Sequence, residues 1–394
     1  MELRQPVHAG LTIGLIGYTS AFAVVLSGLR AVGASPAQAT SGLIAVCLTT
    51  GLGTILLSLR HRMPITLAWS TPGAAVLAST GAVSGGWSAA VGAFLVAGAL
   101  MILTGLWPRL GSLIATIPAP IAQATLAGVV LEICLTPVKG LATHPWQIVP
   151  ILLVWLVLSR VAPRWAVPAA FAVTLVVIGI DAARGGGFHG SWFPHPAWTT
   201  PHLTGAAVVG LALPLYVVTM AAQNVPGAAI MGSYGFAVPW REAMSITGLG
   251  SILGAPFGGH AINLAAISAS VPASEEAHPD PRRRWPAATA FGVFYLALAA
   301  LSTALTTYVA AAPTAVIGAV AGLGLLGTLG SSLSAAVSDP GERTPAAITF
   351  VVAASGITLA GVGAAFWALV AGLVVRTVLT ATTRPRSVER STAR

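Results

Sequence analysis

The chain has 394 residues, of which 56% are apolar and only 7% are charged. A soluble domain carries roughly 25% charged residues, so this composition excludes a water-soluble globular protein. The net charge of +9 does not indicate a nucleic-acid partner, because the basic residues occupy short gaps between apolar runs. The composition therefore predicts an integral membrane protein.

Long stretches without any charged side chain predict membrane-spanning helices. Residues 31–59, 63–108, 285–338 and 344–375 contain no Asp, Glu, Lys or Arg, and a spanning helix needs about 20 apolar residues. These runs are continuous rather than alternating, which favours helices over a β-barrel. The positions of Gly, Pro and charges predict about 14 segments, near 9–29, 38–57, 65–80, 86–106, 117–137, 146–160, 165–181, 203–224, 240–254, 261–275, 286–309, 313–333, 344–359 and 362–380.

The basic residues orient these segments. With the N-terminus in the cytoplasm and the segments alternating in direction, 16 of the 19 Lys and Arg residues fall on the cytoplasmic side. The three on the outer side are Arg30, Lys139 and Arg184. This bias follows the positive-inside rule, so we expect a multi-pass protein with both termini in the cytoplasm.

An internal repeat relates the two halves of the chain. A shift of 197 residues places Thr-Gly-Leu-Gly-Thr-Ile-Leu at 50–56 on Thr-Gly-Leu-Gly-Ser-Ile-Leu at 247–253. The register continues without a gap, so that 65–68 meets 262–265. Chance similarity between Gly/Leu-rich helices is the alternative. Seven segments per half, an odd number, would make the two halves inverted in the membrane, which is a recurring plan in transporters.

The third predicted segment is interrupted. Residues 64–69 favour extended backbone, and Ser70, Thr71 and Gly73 then have the pattern of a helix start, since Ser or Thr can cap a helix and Pro72 is tolerated in its first turn. The sequence predicts a short extended stretch followed by a half-helix.

The tenth segment repeats this pattern. Residues 258–264, which include Asn263, precede a helix of small residues from about Ile267. Two half-helix N-termini would then converge near the middle of the membrane, where their free N–H groups and partial positive charge suit an anion such as a carboxylate. The alternative is a pair of kinked helices without a ligand.

Two ionisable residues are predicted inside membrane segments. His260 lies well inside the tenth segment, where an imidazole could hold a proton and pair with a bound anion. The alternative is a neutral histidine that donates to a backbone carbonyl. Glu132 lies in the fifth segment and could carry a proton, but its distance of seven residues from Lys139 also fits an interfacial carboxylate.

Polar side chains in the first and eighth predicted segments complete the candidate site. Gln223 and Asn224 close the predicted eighth segment, and buried amides without partners cost roughly 1–3 kcal/mol. Tyr18 and Thr19 belong to a hydroxyl cluster in the first segment. Substrate binding and hydrogen bonding between helices are both open for these residues.

These motifs together carry a resemblance to a known family. They are Gly17–Ser20, Trp69–Gly73, Gln223–Gly227, Phe257–Ala266 and Glu276–Pro281. They resemble the benzoate/proton symporter family of bacteria, over essentially the whole chain. That family looks like a branch of the nucleobase and sulfate carriers, which have seven-plus-seven inverted repeats.

The resemblance implies a domain organisation. Residues 1–198 and 199–383 would be the two repeats, and 384–394 a basic cytoplasmic tail. Segments 1–4 and 8–11 would form a core domain, and segments 5–7 and 12–14 a gate domain. Nucleobase carriers place substrate-binding side chains on the eighth and tenth segments, positions matched here by Gln223 and His260. Glu132 would belong to the gate domain, which weakens its case for proton coupling.

The functional hypothesis is a proton-coupled importer of benzoate or a similar aromatic carboxylate in the bacterial inner membrane. Its predicted substrate contacts are Tyr18, Thr19, Ser70, Thr71, Gly73, Gln223, Asn224, His260 and Asn263, with His260 and Glu132 as candidates for proton coupling. A carrier of nucleobases or other small organic anions and a channel-like anion conductor are the alternatives. No nucleophile–base pair or metal cluster indicates an enzyme, and we expect no cofactor or metal. A homodimer is left open.

Overall fold

A computed structural model describes residues 3–107, 109–111, 116–185, 187–188, 190–359 and 362–382. Within them, the helices of the first half are α1 (Arg4–Ala31), α2 (Pro36–His61), α3 (Thr71–Thr80), α4 (Gly86–Leu106), α5 (Ala119–Thr143), α6 (Pro145–Val161) and α7 (Ala166–Gly185). Those of the second half are α8 (Gly205–Ser233), α9 (Trp240–Gly254), α10 (Ser270–Ala273), α11 (Trp285–Ala310), α12 (Thr314–Ala336), α13 (Arg343–Ala354) and α14 (Ala364–Thr382). The strands are β1 (Leu67–Trp69), β2 (Ile262–Leu264), β3 (Thr358–Leu359) and β4 (Val362–Gly363).

The protein is a mostly helical, multi-pass membrane protein. Among the described residues, eight helices are long and apolar enough to cross a membrane. Each predicted segment overlaps one of the helices, but the number of 14 crossings, the inverted repeat and the boundary near residue 198 stay predictions. The predicted basic tail, 384–394, lies outside the described residues.

Helix α8 extends beyond its predicted end. It was expected to stop at Gln223–Asn224, before Pro226, yet it continues to Ser233. Two π-helical turns, Val208–Ala212 and Met220–Asn224, interrupt the α-helical geometry. The second turn directly precedes Pro226, and such a turn shifts the hydrogen-bond pattern where proline lacks an N–H to donate. The helix therefore passes the proline instead of ending there.

The helices pack in two groups. In the first group, α2 packs against α9 and α11, α4 against α9, and α1 against α3 and α11. In the second group, α5 packs against α12 and α13, α6 against α7, and α13 against α14. We call these the first group (α1–α4 and α8–α11) and the second group (α5–α7 and α12–α14).

The repeated Thr-Gly-Leu-Gly motif packs two helix pairs of the first group closely. A Cβ added at Gly51 would lie 2.8 Å from the carbonyl oxygen of Gly292, which brings α2 against α11. A Cβ at Gly248, the matching position, would lie 2.5 Å from the carbonyl oxygen of Gly98, which brings α4 against α9. Glycine is needed at both positions because any side chain would separate the backbones.

The two extended stretches predicted from the repeat pair with each other. Strands β1 and β2 are antiparallel, with Leu67 opposite Leu264 and Trp69 opposite Ile262. Leu67 and Leu264 are also partners under the shift of 197 residues. The two strands therefore run in opposite directions through the interior of the protein, next to helices α2 and α9.

The second half-helix differs from the prediction. The first, α3, has ten residues, but β2 is followed by a 3-10 turn (Ile267–Ala269) and by α10, which has only four. The helix predicted from about Ile267 therefore begins there, as a 3-10 turn, and the helical stretch ends at Ala273. Pro272 lies in α10 and lacks the N–H that would continue the hydrogen bonds of the preceding turn. The hairpin β3–β4 ahead of α14 was also not predicted.

Candidate functional site

Side-chain oxygens hold the outer edges of the central strand pair. The N–H of Leu67 donates to Thr54 Oγ1 at 2.9 Å, and the N–H of Ile262 donates to Ser251 Oγ at 3.0 Å. The N–H of Leu264 donates to Asn224 Oδ1 at 2.8 Å. A strand pair in a membrane has no water to satisfy its free edges, so these side chains complete the hydrogen bonds of the two strands.

The N-terminus of α3 follows β1 directly. Ser70 Oγ accepts from the N–H of Gly73 at 3.0 Å and lies 2.7 Å from Thr219 Oγ1 on α8. A Cβ on Gly73 would lie 2.5 Å from Leu215 Cδ1, so only glycine fits there. This first turn is capped, and because Pro72 has no N–H and the N–H of Gly73 is already bonded, it leaves the N–H of Thr71 to meet an anion at the positive end of the helix dipole.

A cavity of about 500 Å³ lies in front of this turn. The first group of helices forms one wall through α1, β1, the start of α3, α8 and the turn after β2. The second group forms the opposite wall through α5 and α12. The cavity occupies the half of the bundle that contains the N-terminal halves of α1 and α5 and the C-terminal half of α12.

Aromatic rings line the inner end of the cavity. Trp69 and Tyr295 both face it, and their ring centroids are 5.4 Å apart. Tyr18 packs behind them, 5.4 Å from Trp69, and Phe291 stacks on Tyr295 at 4.5 Å. Aromatic rings favour offset or edge contacts at such distances, so the cavity presents a surface that suits another ring.

The polar side chains of the cavity are all uncharged. Those facing it are Ser20, Thr71, Gln123, Gln223, Ser268, Thr328, Ser331 and Ser332. No Asp, Glu, Lys, Arg or His is among the described residues that line it. Across the described residues, no group of three or more His, Cys, Asp and Glu side chains could hold a metal ion.

Two of the predicted substrate contacts, Thr71 and Gln223, face the cavity. The other predicted contacts are buried and form a layer behind the cavity. None of them is among the described residues that line it: Tyr18, Thr19, Ser70, Gly73, Asn224, His260 and Asn263. Thr19 Oγ1 donates to the carbonyl of Leu15 at 2.8 Å, and Asn263 Nδ2 donates to the carbonyl of Leu264 at 2.7 Å. These two side chains therefore support backbone.

His260 lies in this second layer. Its side chain is 1% exposed, and Nε2 is 3.1 Å from the carbonyl oxygen of Ser70. The histidine thus contacts the residue that caps α3, across the strand pair. This is the contact with a backbone carbonyl that the sequence left open as an alternative to direct contact with an anion.

Glu132 lies away from the cavity. Its side chain is 73% exposed on α5 and its Oε1 is 2.9 Å from Lys139 Nζ. This ion pair joins the two residues whose spacing of seven was noted in the sequence. Nothing in the described structure connects this carboxylate with the residues that line the cavity.

Sequence reasoning missed the second wall. Gln123 on α5 and Thr328, Ser331 and Ser332 on α12 all face the cavity. One signal was present, because Gln123 is an amide in an otherwise apolar run. The hydroxyl residues of α12 have no comparable signal, since Ser and Thr recur along many helices of this chain.

Similarity to known proteins identifies the family of this chain. The sequence model of the family described as "Benzoate membrane transport protein" matches residues 4–378. The chain belongs to this family. It is therefore a membrane transporter and not an enzyme, as the motifs predicted.

Two curated relatives align over most of their length. The chain is 39% identical over 374 residues to the "Inner membrane protein YdcO" of Escherichia coli, covering 94% of this chain and 95% of that protein. It is 27% identical over 379 residues to the "Benzoate membrane transport protein" of Acinetobacter baylyi, covering 94% of each.

Solved structures share the fold of this transporter. Murine Solute Carrier 26 family member A9, an anion transporter in the inward-facing state, matches with a TM-score of 0.67 at 14% identity, over 96% of this chain and 68% of that one. The transmembrane domain of a cyanobacterium bicarbonate transporter matches with a TM-score of 0.56 at 14% identity, over 97% and 98%. At these identities the likeness concerns the fold alone.

Proposed function

We propose that the protein is a proton-coupled importer of benzoate or a similar aromatic carboxylate in the bacterial inner membrane. The observation that carries the proposal is the cavity, which combines an aromatic inner end with a capped helix N-terminus and neutral polar side chains. Membership of the benzoate transport family supports the same substrate class.

The substrate is held by two kinds of contact. Its ring packs against Trp69 and Tyr295, and its carboxylate lies near Thr71 at the start of α3, where the N–H of Thr71 and the helix dipole favour an anion. Because no charged side chain lines the described cavity, the negative charge is balanced by dipoles and hydrogen-bond donors. Such a site releases its anion more readily than a site with a fixed cation, because no ion pair has to be broken.

Proton coupling is assigned to His260, acting through Ser70. A protonated imidazole always carries a hydrogen on Nε2 and donates it to the Ser70 carbonyl, whereas a neutral ring does so only in the tautomer with the hydrogen on Nε2. Since Ser70 also caps α3, protonation of His260 alters the residue that supports the carboxylate site, without direct contact between His260 and the substrate. Glu132 has no part in this assignment because it is exposed and paired with Lys139.

Transport requires the two walls of the cavity to move relative to each other. We infer that the first group acts as the core domain and the second as the gate domain. With both termini in the cytoplasm, the cavity is open inward, since it lies in the half that contains the start of α1. Opening to the other side would slide the core wall along α5 and α12.

The test is uptake of radiolabelled benzoate into proteoliposomes with an imposed proton gradient. The wild type is expected to accumulate benzoate only with the gradient, and His260→Ala is expected to lose most of this dependence. His195→Ala, at an exposed loop histidine, is the matched control and should behave as the wild type.

Three outcomes would contradict the proposal. Uptake by His260→Ala that still follows the gradient as in the wild type removes the role of this histidine. Wild-type flux that ignores the gradient supports a channel-like conductor. Competition by uracil or xanthine, with no competition by unlabelled benzoate, supports a nucleobase carrier.

A further inference from the structure

Two glutamine side chains line the cavity, one on each of its two walls. Gln123 lies on α5 in the second group, and Gln223 lies on α8 in the first. Each amide can donate two hydrogen bonds and accept two. Among the described residues, neither side chain has a hydrogen-bond partner, although both lie within membrane-embedded helices.

The other Asn and Gln side chains of the chain differ from these two, because each of them makes a hydrogen bond. The sequence contains seven Asn and Gln residues. The remaining five all make side-chain hydrogen bonds, which involve Gln5, Gln38, Gln147, Asn224 and Asn263. An unpartnered amide in the membrane costs free energy unless water or a ligand satisfies it. Among the described residues, Gln123 and Gln223 are thus the amide side chains without any hydrogen bond, and both line the cavity. The amide oxygens of Gln147 and Asn263 are also unpaired, but the NH₂ groups of these two side chains are bonded.

We propose that Gln123 is a substrate-binding residue on the second wall, which together with Gln223 donates hydrogen bonds to the carboxylate of the aromatic substrate. This inference rests on the proposed function. The carboxylate is the only polar group of benzoate, so an amide that hydrogen-bonds benzoate must bind it there. Two neutral donors suit a cavity whose described lining has no fixed cation.

The position of the two amides also links binding to movement. Gln223 lies on α8, which packs against α3 and β2 of the first group, whereas Gln123 belongs to the wall of α5 and α12. A carboxylate held by both is a bridge between the two groups of helices. Its binding stabilises the arrangement in which the two amides approach the same anion.

The test is the concentration dependence of benzoate uptake by Gln123→Leu, Gln123→Asn and Gln123→Glu in proteoliposomes. Loss of a hydrogen bond to a charged group is expected to raise KM by about tenfold to hundredfold in Gln123→Leu. The maximal rate should change much less. Gln123→Asn keeps the donor and should recover part of the affinity, and Gln123→Glu should lose uptake because it repels the carboxylate.

The matched control is Gln147→Leu, which removes an amide that is buried and bonded to Asp181 at 3.4 Å, away from the cavity. It should leave KM unchanged. Direct binding of benzamide, which has the same ring but no charge, measured by calorimetry on the purified protein, gives a second readout: Gln123→Glu should weaken benzamide binding much less than benzoate binding.

The outcomes separate this inference from the proposed function. Wild-type uptake of benzoate with an unchanged KM in Gln123→Leu overturns the inference alone. Absence of benzoate uptake by the wild type overturns the proposed function and this inference with it. A higher KM in Gln123→Leu that Gln123→Asn does not lower at all shows packing rather than hydrogen bonding, and also overturns it.

Discussion

In the first interrupted segment, strand β1 leads directly into a helix of ten residues, whereas in the second, strand β2 leads into a 3-10 turn and a helix of four. The strands themselves are repeat partners and pair with each other. The two segments therefore match where their strands pair with each other, and they differ where each contacts different surroundings.

The two segments also end differently. Helix α3 is stabilised mainly by its own residues, because Ser70 caps its start and the hydrogen bonds within the helix satisfy its other backbone groups. The short α10 is held by Arg284, whose guanidinium donates to the carbonyls of Ala273 at 2.6 Å, His278 at 2.7 Å and Pro279 at 3.2 Å. One half-helix is stabilised locally, and the other by a buried cation from the start of the next helix.

The largest expected effect comes from removing that cation. Arg284 is 5% exposed, and Arg284→Gln would leave buried carbonyls without donors. We expect a loss of about 3 kcal/mol in the free energy of unfolding, since hydrogen bonds to charged groups contribute roughly 1.5–3 kcal/mol. The measurement is the melting temperature in detergent micelles.

The neighbouring arginine is the control. Arg283 lies 3.7 Å from Asp280 and is half exposed, so Arg283→Gln should change stability by less than about 1 kcal/mol. Equal melting temperatures for the two variants would show that the second segment does not depend on Arg284.

Exchanging repeat partners tests the difference between the half-helices. A Cβ on Gly73 would lie 2.6 Å from Ser70 Oγ and 2.5 Å from Leu215 Cδ1, whereas the matching position in the second copy is Ser270. We expect Gly73→Ser to cost about 1–3 kcal/mol through overpacking and to abolish benzoate uptake, because it distorts the first turn of α3.

The reciprocal exchange, Ser270→Gly, should cost about 1 kcal/mol or less, as expected for glycine in a short helix. Both variants are compared by melting temperature and by benzoate uptake. Wild-type uptake by Gly73→Ser would mean that the capped turn of α3 is not part of the substrate site.

The smallest effect concerns an ion pair beyond the second segment. Glu276 accepts two hydrogen bonds from Arg164, at 2.6 and 2.7 Å, and these bonds with the positive charge hold the pKa of Glu276 below its ordinary value of 4.5. A lowered carboxyl pKa stabilises the fold above the ordinary value, and this stabilisation is lost as the pH falls through the lowered one. Both side chains are exposed, so salt screens the pair.

We therefore expect Glu276→Gln to melt slightly below the wild type at neutral pH, and at the same temperature once the pH is well below 4.5. Added salt should shrink the difference at neutral pH. Glu275→Gln, at the neighbouring carboxyl, is the control. A difference between Glu276→Gln and the wild type that persists unchanged in acid would contradict the ion-pair explanation.

Two of the predicted substrate contacts line the cavity, and the other predicted contacts lie behind it. Thr71 and Gln223 could be predicted because each stands beside a break in an apolar segment. His260 stands beside such a break too, yet it contacts the Ser70 carbonyl instead of the cavity. Which side of the strand pair a residue faces depends on the pairing register, and that register is set by the two halves together.

The sequence by itself determined that the chain crosses the membrane and that the third and tenth segments are interrupted, because hydropathy and glycine spacing are local properties; the repeat of its two halves stays a prediction. Only the tertiary structure decided the composition of the cavity. Gln123 and Tyr295 are far apart in the chain and line the same cavity because α5 packs against α12 and α11 packs against α1, which place both helices at its walls. It also decided how the interrupted segments are stabilised: two strands of equal length, joined by backbone hydrogen bonds, continue into unequal helices, of which one is capped by Ser70 and the other is held by Arg284.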